Sequence, residues 1–417
     1  MLLVILPAFA QTPISLTLEE AVAMAVRQHP SVLTAQRAIE SADARIKQAR
    51  SDYFPQLGFS GVAKVGLSGA INGLHPVGLP NSPFYRNFAD ALNASYTAFD
   101  FGRTKHGVRV QRQLREAAAA DLAAAEASVI LGAERTFYNL LSARRLRDVA
   151  AEIVRSREVT VRQAQAFYEG KIRSRVDLDL ARVSLSEAQL KSIEAENGVR
   201  AAVAELGRAM GASQDADYDL QAPDLTPAGP EPLAELIQEA YQNRPDLRSL
   251  QAGREAVSES VRLARSQRKP ILSFVFSGGY ARFTEVLARQ LLVGGAGLAI
   301  PFFTGFQLEG EIEEAEARLR LLDSRIEESM QQIALETRTA YVQLQNVLQS
   351  VPMLKVRAEY ARDAARLAAA RYRERLGTIV ELNQAQASLA EADAAEVTGA
   401  YRVKSAEAEL RFAVGRR

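Results

Sequence analysis

The sequence predicts a mainly α-helical fold joined to a membrane β-barrel. Long helices form an α-helical coiled-coil barrel, and four β-strands per subunit complete a 12-stranded trimeric β-barrel. Three observations point there. The 417-residue chain repeats itself along most of its length. Its apolar residues keep a seven-residue beat over long stretches. Four shorter stretches switch to strict alternation.

The repeat is visible when the sequence slides against itself. At a shift of 215, Glu20 meets Glu235, Pro30 meets Pro245 and Pro55 meets Pro270. Further on the shift falls to 203 and then 204, so that Gly102 meets Gly305, Tyr138 meets Tyr341 and Gly211 meets Gly415. The first copy spans 17–211 and the second 233–415, with a proline-rich linker at 212–232. The falling shift predicts a shorter loop in the second copy.

Each copy opens on helix, 17–53 in the first and 233–268 in the second. Pro30 breaks the first of these after a short segment. From there Val32, Ala35, Ile39, Ala42, Ile46, Ala49 and Tyr53 recur at alternating spacings of three and four. A helix over 103–169 has 67 residues, about 100 Å at 1.5 Å per residue. The returning helix 175–211 is too short to match it alone. With 31–53 added the total reaches about 90 Å, so two short helices stack end to end beside one long helix. The second copy repeats this with 305–376 against 378–415 and 246–268. Pro352 falls inside its long helix and predicts a kink. Alanine at every other seam position (Leu178, Ala181, Leu185, Ala188; Leu382, Ala385, Leu389, Ala392) lets helices approach closely.

The alternating stretches predict strands at 54–66, 88–99, 270–280 and 290–301. Leu57, Phe59, Leu92, Tyr96, Leu272, Phe274, Phe276 and Leu298 fall on their apolar faces, the faces expected to meet lipid. Each strand is about 10 residues, enough to cross an outer membrane at a tilt. Sixteen of the 28 Phe and Tyr residues lie in 53–101 and 274–306, a clustering like the aromatic girdles of outer-membrane barrels. Lipid admits no open sheet edge, and four strands are too few for a barrel with a lumen. Three copies supply twelve. A soluble sheet subdomain is the alternative. The loop 67–87 is expected to be the longer external loop and 281–289 the short one.

Bulk properties exclude other classes. Basic and acidic residues balance at 51 and 50, which removes the electrostatic argument for a nucleic-acid partner. There is no cysteine, and the three histidines lack metal-ligand spacing. No nucleophile motif, metal cluster or phosphate loop is present, so no enzyme activity, cofactor or metal is expected. No apolar run approaches the roughly 20 residues of a spanning helix. Residues 1–10, "MLLVILPAFA", end in an A-x-A export signature and read as a signal-peptide remnant, or else as an apolar tail.

"AFDFGRTKHGV", the turns "YEGKIRSRVDLDLA" and "YRERLGTIVELNQAQ", and the echo of "HPSVLTAQ" in "RPDLRSLQ" resemble the TolC-like outer-membrane efflux proteins, the outer membrane factors. The likeness covers essentially the whole chain. It implies a homotrimer in the outer membrane with a helical barrel in the periplasm. It implies a passive exit duct of a tripartite efflux or type I secretion system. The partners would be a periplasmic adaptor and an inner-membrane transporter (RND, ABC or similar). A periplasmic helical-hairpin scaffold or adaptor without a barrel is the alternative.

The resemblance also assigns sites. The tip turns would dock the adaptor through Gly170, Lys171, Ile172, Arg173 and Arg175, and through Arg375, Leu376, Gly377 and Thr378. Asp177, Tyr372, Glu381 and Gln384 would form the aperture and gate. The family's acid carries over to Glu381, whereas its second acid is Gln384 here and its glycine before the second turn is Arg375. Acids in a first helical turn also favour the macrodipole, so Asp177 and Glu381 have a structural reading too. Under three-fold symmetry each would become a ring, a known basis of cation selectivity.

Overall fold

The computed structural model describes residues 14–67, 84–212, 218–221, 229, 231–283 and 286–416. The expected export remnant, and most of the linker and of the longer loop, lie outside the described residues. In chain order the elements are β1 (Ile14–Leu16), α1 (Leu18–Gln28), α2 (Pro30–Arg50), a 3-10 turn (Ser51–Tyr53), β2 (Gln56–Leu67), β3 (Phe84–Phe99), α3 (Arg103–Glu169) and α4 (Arg175–Ala209). There follow β4 (Tyr218–Leu220), α5 (Leu233–Asn243), α6 (Pro245–Ser266), β5 (Ile271–Phe283), β6 (Val286–Ala299), α7 (Gln307–Arg373) and α8 (Ile379–Val414). The order helix, helix, strand, strand, helix, helix occurs twice.

Local chemistry sets the boundaries. Pro30 and Pro245 each open a helix, where the missing N–H has no intrahelical partner to lose. Thr17 caps α1 in a reciprocal box with Glu20. The chain turns into a 3-10 segment at Ser51, so α2 stops short of the expected Tyr53. Positive φ at Gly305 (64°) and Phe306 (68°) holds the start of α7 to Gln307, later than the expected 305. α7 continues as helix through Pro352. Strands β3, β5 and β6 run longer than the alternation predicts, and β2 starts two residues later and ends one later, because ladder pairing carries the strands on to Leu67–Phe84 and Phe283–Val286.

The chain forms two compact units. The first takes the described residues of Met1–Gln36 with Ala120–Leu247 and Glu328–Arg417. Its largest core gathers Leu16, Phe137, Leu140, Leu206, Met210, Tyr218 and Tyr401. The parallel pair β1–β4, Ile14 to Leu16 beside Tyr218 to Leu220, lies against it; the sequence reading contained neither strand. Both returning helices end on a left-handed glycine pressed against a helix junction. A Cβ on Gly211 (φ 72°) would lie 2.9 Å from His29 Cα, and one on Gly415 (φ 81°) 2.9 Å from Arg244 N. His29 and Arg244 are equivalent under the 215 shift.

The second unit takes Arg37–Ala119 and Arg248–Glu327. It contains a four-stranded antiparallel sheet in the order β2-β3-β5-β6. Buried Glu259 on α6 anchors its helices: it pairs with His106 at 2.6 Å, Arg262 at 2.6 Å and Arg109 at 3.5 Å. Burial alone would raise the Glu259 carboxyl; the His106 hydrogen bond and the charges of Arg262, His106 and Arg109 hold it below the ordinary value.

Candidate functional site

Two regions carry the expected sites, one in each unit. At the hairpin turns of the first unit, α3 ends at Glu169 and α4 starts at Arg175; α7 ends at Arg373 and α8 starts at Ile379. Both turns make one hydrogen-bond pattern. Lys171 N–H donates to the Tyr168 carbonyl (2.9 Å) and Ile172 N–H to that of Phe167 (2.8 Å). Arg375 N–H donates to the Tyr372 carbonyl (3.1 Å) and Leu376 N–H to that of Arg371 (2.8 Å). These are Schellman turns, whose left-handed position favours glycine. Lys171 (φ 55°) and Arg375 (φ 64°) fill it here. The family's glycine is thus absent at Arg375 while the left-handed turn is kept.

The helices leaving the turns are capped. Ser174 Oγ accepts from Asp177 N–H at 3.4 Å. Thr378 Oγ1 accepts from Glu381 N–H at 3.2 Å, and Thr378 N–H donates back to the Glu381 carboxylate at 3.4 Å. Glu381 therefore has a capping role in addition to any other. Arg173 joins the two turns: Nη2 donates to the carbonyls of Gly377 (2.7 Å) and Arg375 (3.2 Å). Its guanidinium also stands 5.9 Å from the Tyr372 ring centroid and its Nε 4.0 Å from Asp177.

Tyr372 is fully buried and lines no opening within the chain. It packs with Ala164, Leu178, Ala181, Ile379 and Leu382, edge-on to Phe167 at 5.6 Å. The cause is its register: Ala358, Ala365 and Tyr372, all buried, lie seven residues apart on the α7 seam. Its hydroxyl has no hydrogen-bond partner among the described residues. Burial, then the Asp177 charge, pushes that hydroxyl up, with Arg173 opposing. By contrast Gly170, Lys171, Ile172, Arg175, Arg375, Leu376 and Thr378 are exposed, as are Glu381 and Gln384; Arg173 and Asp177 are half-buried and Gly377 is buried.

Sequence reasoning missed Arg157. Nearly buried on α3, it donates to the side-chain oxygens of Asn383 (3.2 Å) and Gln386 on α8. Gln386 in turn donates to Ser156 and Thr160, each at 3.3 Å. The available signal was an arginine in the seam that continues through buried Thr160 and Ala164.

In the second unit, register sorts the sheet into two faces. Phe59 pairs with Leu92, Leu57 with Ala94, Tyr96 with Phe274, Ala94 with Phe276 and Leu272 with Leu298. Direct partners share a face, so the eight residues expected to meet lipid lie together. Leu57 is 72 % exposed, Phe59 73 % and Leu298 64 %. The opposite face carries Gln56, Ser60, Asn93, Ser95 and Ser277. There Asn93 donates to Ser60 Oγ and accepts from Ser277 Oγ, both at 2.8 Å. Gly279 permits the close approach of β3 and β5, since a Cβ there would stand 2.0 Å from the Asp90 carbonyl oxygen. Among the described residues no helix is long and apolar enough to cross a membrane, and no acid and histidine cluster could hold a metal.

The family model for outer membrane efflux proteins matches residues 21–212 and 236–416. The chain belongs to the outer membrane efflux protein family. This outer membrane efflux protein is 26 % identical to Protein CyaE of Bordetella pertussis over 343 residues, which are 79 % of this chain and 69 % of CyaE. It superposes on the outer-membrane channel OprN with a TM-score of 0.83 at 18 % identity, covering 96 % of this chain and 90 % of that one. On the Campylobacter jejuni CmeC outer membrane channel the TM-score is 0.83 at 18 % identity, covering 95 % and 85 %. At such identities the likeness is one of fold. The efflux protein is thus an outer-membrane exit channel with long helices and a β-sheet portion, a role that is not enzymatic. Members of the family work with adaptor and inner-membrane transporter partners.

Proposed function

We propose that three copies of the efflux protein close into one passive duct. The carrying observation is the sheet's pair of open edges. Strand order β2-β3-β5-β6 leaves β2 and β6 unpaired, and three antiparallel pairings make them run in opposite senses. The β6 edge of one copy therefore meets the β2 edge of the next antiparallel, and three copies close twelve strands with none left over. The exposed apolar face then meets lipid, and the face of Asn93, Ser277 and Ser60 lines the lumen. A soluble scaffold has no use for an exposed face of this composition.

The helices support the same closure. Val176, Leu180, Val183 and Leu190 form a second, exposed apolar stripe on α4, and Met353, Val356, Tyr360 and Leu367 another on α7. Both suit coiled-coil contacts with neighbouring copies. The exposed turn residues Lys171, Ile172, Arg175, Arg375 and Leu376 dock a periplasmic adaptor, through which an inner-membrane transporter delivers cargo. Asp177 and Glu381 form acidic rings near the axis, and Gln384 leaves the second ring weaker. Arg173, by tying one turn to the other, holds the tip.

The mass of the detergent-extracted protein tests closure: a trimer is expected, and a monomer in the soluble periplasmic fraction overturns the reading. Asp177→Asn combined with Glu381→Gln is expected to lower cation selectivity in planar bilayers. Unchanged selectivity removes these acids from the aperture.

A further inference from the structure

We propose that the helix-side end of the sheet is a binding site for anionic phospholipid. The inference rests on the membrane placement of the sheet and adds which lipid class it holds. Gln56 at the start of β2 pairs with Ser95, Phe99 at the end of β3 with Leu272, and Ile271 at the start of β5 with Ala299 at the end of β6. All four passages between strand and helix therefore converge at one end.

That end presents aromatic rings to solvent. Tyr53 and Phe54 precede β2, Phe99 and Phe101 close β3, and Phe302 and Phe303 follow β6; each is 49 % exposed or more. Phe99 pairs with Leu272 and so belongs to the apolar face. Its ring meets Phe101 edge-on at 4.7 Å. Phe101 is held at φ 53°, a conformation bulky residues seldom adopt. Asp100 fixes it there by accepting from Gly102 N–H (2.9 Å) and Thr104 N–H (2.6 Å). The backbone thus keeps a ring outward against its own preference. Rings at this level suit the headgroup zone of a bilayer.

Cations flank the same strand ends along the chain. Lys47 and Arg50 on α2, Lys105 on α3 and Lys269 before β5 are exposed and have no ion pair among the described residues. Of the acids at this end, Asp100 is engaged in its cap, Glu309 with Arg268 at 3.0 Å and Glu316 with Arg265 at 2.7 Å, which leaves exposed Asp52 in the 3-10 turn to offset one of the four cations. The surplus at this end is positive. Long basic stems can lie along apolar surface and place their charge at phosphate level. A zwitterionic lipid needs no such surplus, and a free phosphate needs no rings. A second copy of the chain would cover the edges β2 and β6, whereas Phe99, Phe101, Lys105 and Lys269 adjoin the inner strands β3 and β5. Rings and free cations together fit phosphatidylglycerol.

The test uses the full-length, detergent-extracted protein. Its melting is followed in micelles containing phosphatidylglycerol, phosphatidylcholine, or sn-glycerol 3-phosphate with detergent alone. Phosphatidylglycerol is expected to raise the midpoint, by an amount that falls as salt is raised; the other two are not. The variant Lys47→Gln, Arg50→Gln, Lys105→Gln, Lys269→Gln is expected to retain about tenfold less co-purified phosphatidylglycerol, with its midpoint in phosphatidylcholine unchanged. Equal shifts in both lipids, an undiminished shift in the variant, or a full effect of glycerol phosphate overturns the proposal. A protein that needs no detergent fails the membrane reading instead; one that needs it but ignores headgroup charge fails this inference alone.

Discussion

Lys171 and Arg375 hold the same left-handed backbone, φ 55° and 64°, at the same step of two turns that are 204 residues apart. L-residues pay about 1–2 kcal/mol there, and a glycine's added freedom in the unfolded chain returns about 0.5–1 kcal/mol of that. Lys171→Gly and Arg375→Gly should each therefore stabilise the solubilised protein by about 0.5 kcal/mol. Arg375→Val, β-branched in the same geometry, should destabilise it. Thermal melting in detergent checks both; a lower midpoint for Arg375→Gly would mean the arginine side chain outweighs its backbone strain.

Gly211 and Gly415 make the opposite case. Each combines positive φ with backbone 2.9 Å from where a Cβ would stand. Adding left-handed strain to overpacking, Gly211→Ala and Gly415→Ala should each cost about 2–4 kcal/mol. Chemical denaturation monitored by circular dichroism reads this. Losses below 1 kcal/mol would show that α1–α2 and α5–α6 junctions yield easily.

Glu259 predicts a pH dependence. Its carboxyl is held below the ordinary range in the folded state, so the unfolded state binds the proton more readily. The stabilisation is fully present above about pH 4.5, the ordinary carboxyl value, and is lost as pH falls through the lower folded value. Glu259→Gln should lower the melting midpoint near neutral pH and flatten its fall under acid. Parallel acid profiles for the two proteins would rule Glu259 out as the cause.

In the sheet, Gly279→Ala should obstruct the β3–β5 pairing, because the new methyl meets the Asp90 carbonyl and Ala91 Cα. Gly295→Ala on β6, with nothing within 4 Å, serves as its control. The amount of each variant recovered in outer-membrane fractions is the measurement. A large loss is expected only for Gly279→Ala; equal recovery would mean the strands separate at little cost.

Much of the fold class was legible because periodicity records burial locally. Leu178, Ala181 and Ala188, chosen on the seven-residue beat, are buried in α4. Alternation likewise sorted Leu57, Phe59 and Leu298 from Asn93 and Ser277, since a pleated strand sends successive side chains to opposite faces. The burial of Tyr372 was legible in the same way, since Ala358, Ala365 and Tyr372 share the seven-residue beat of one seam. Arg157 went unread because a charge in a seam looks like a fault in the pattern until its amide partners on α8 are known. The pair β1–β4 is three residues on each side and joins segments some 200 positions apart, so no local pattern marks it.

By itself, then, the amino-acid order determined the duplication, the long helices, the four strands and the face each presents, because these depend on spacing between near neighbours in the chain. Tertiary structure decided what lies across from what. It put Arg173 against the Gly377 carbonyl, Gly211 and Gly415 against the junctions at His29 and Arg244, and the Phe99 ring edge-on to Phe101 at one end of the sheet. A main-chain carbonyl or a vacant Cβ position is the same in every residue type, so contacts made to them leave no mark in the sequence until the chain is folded.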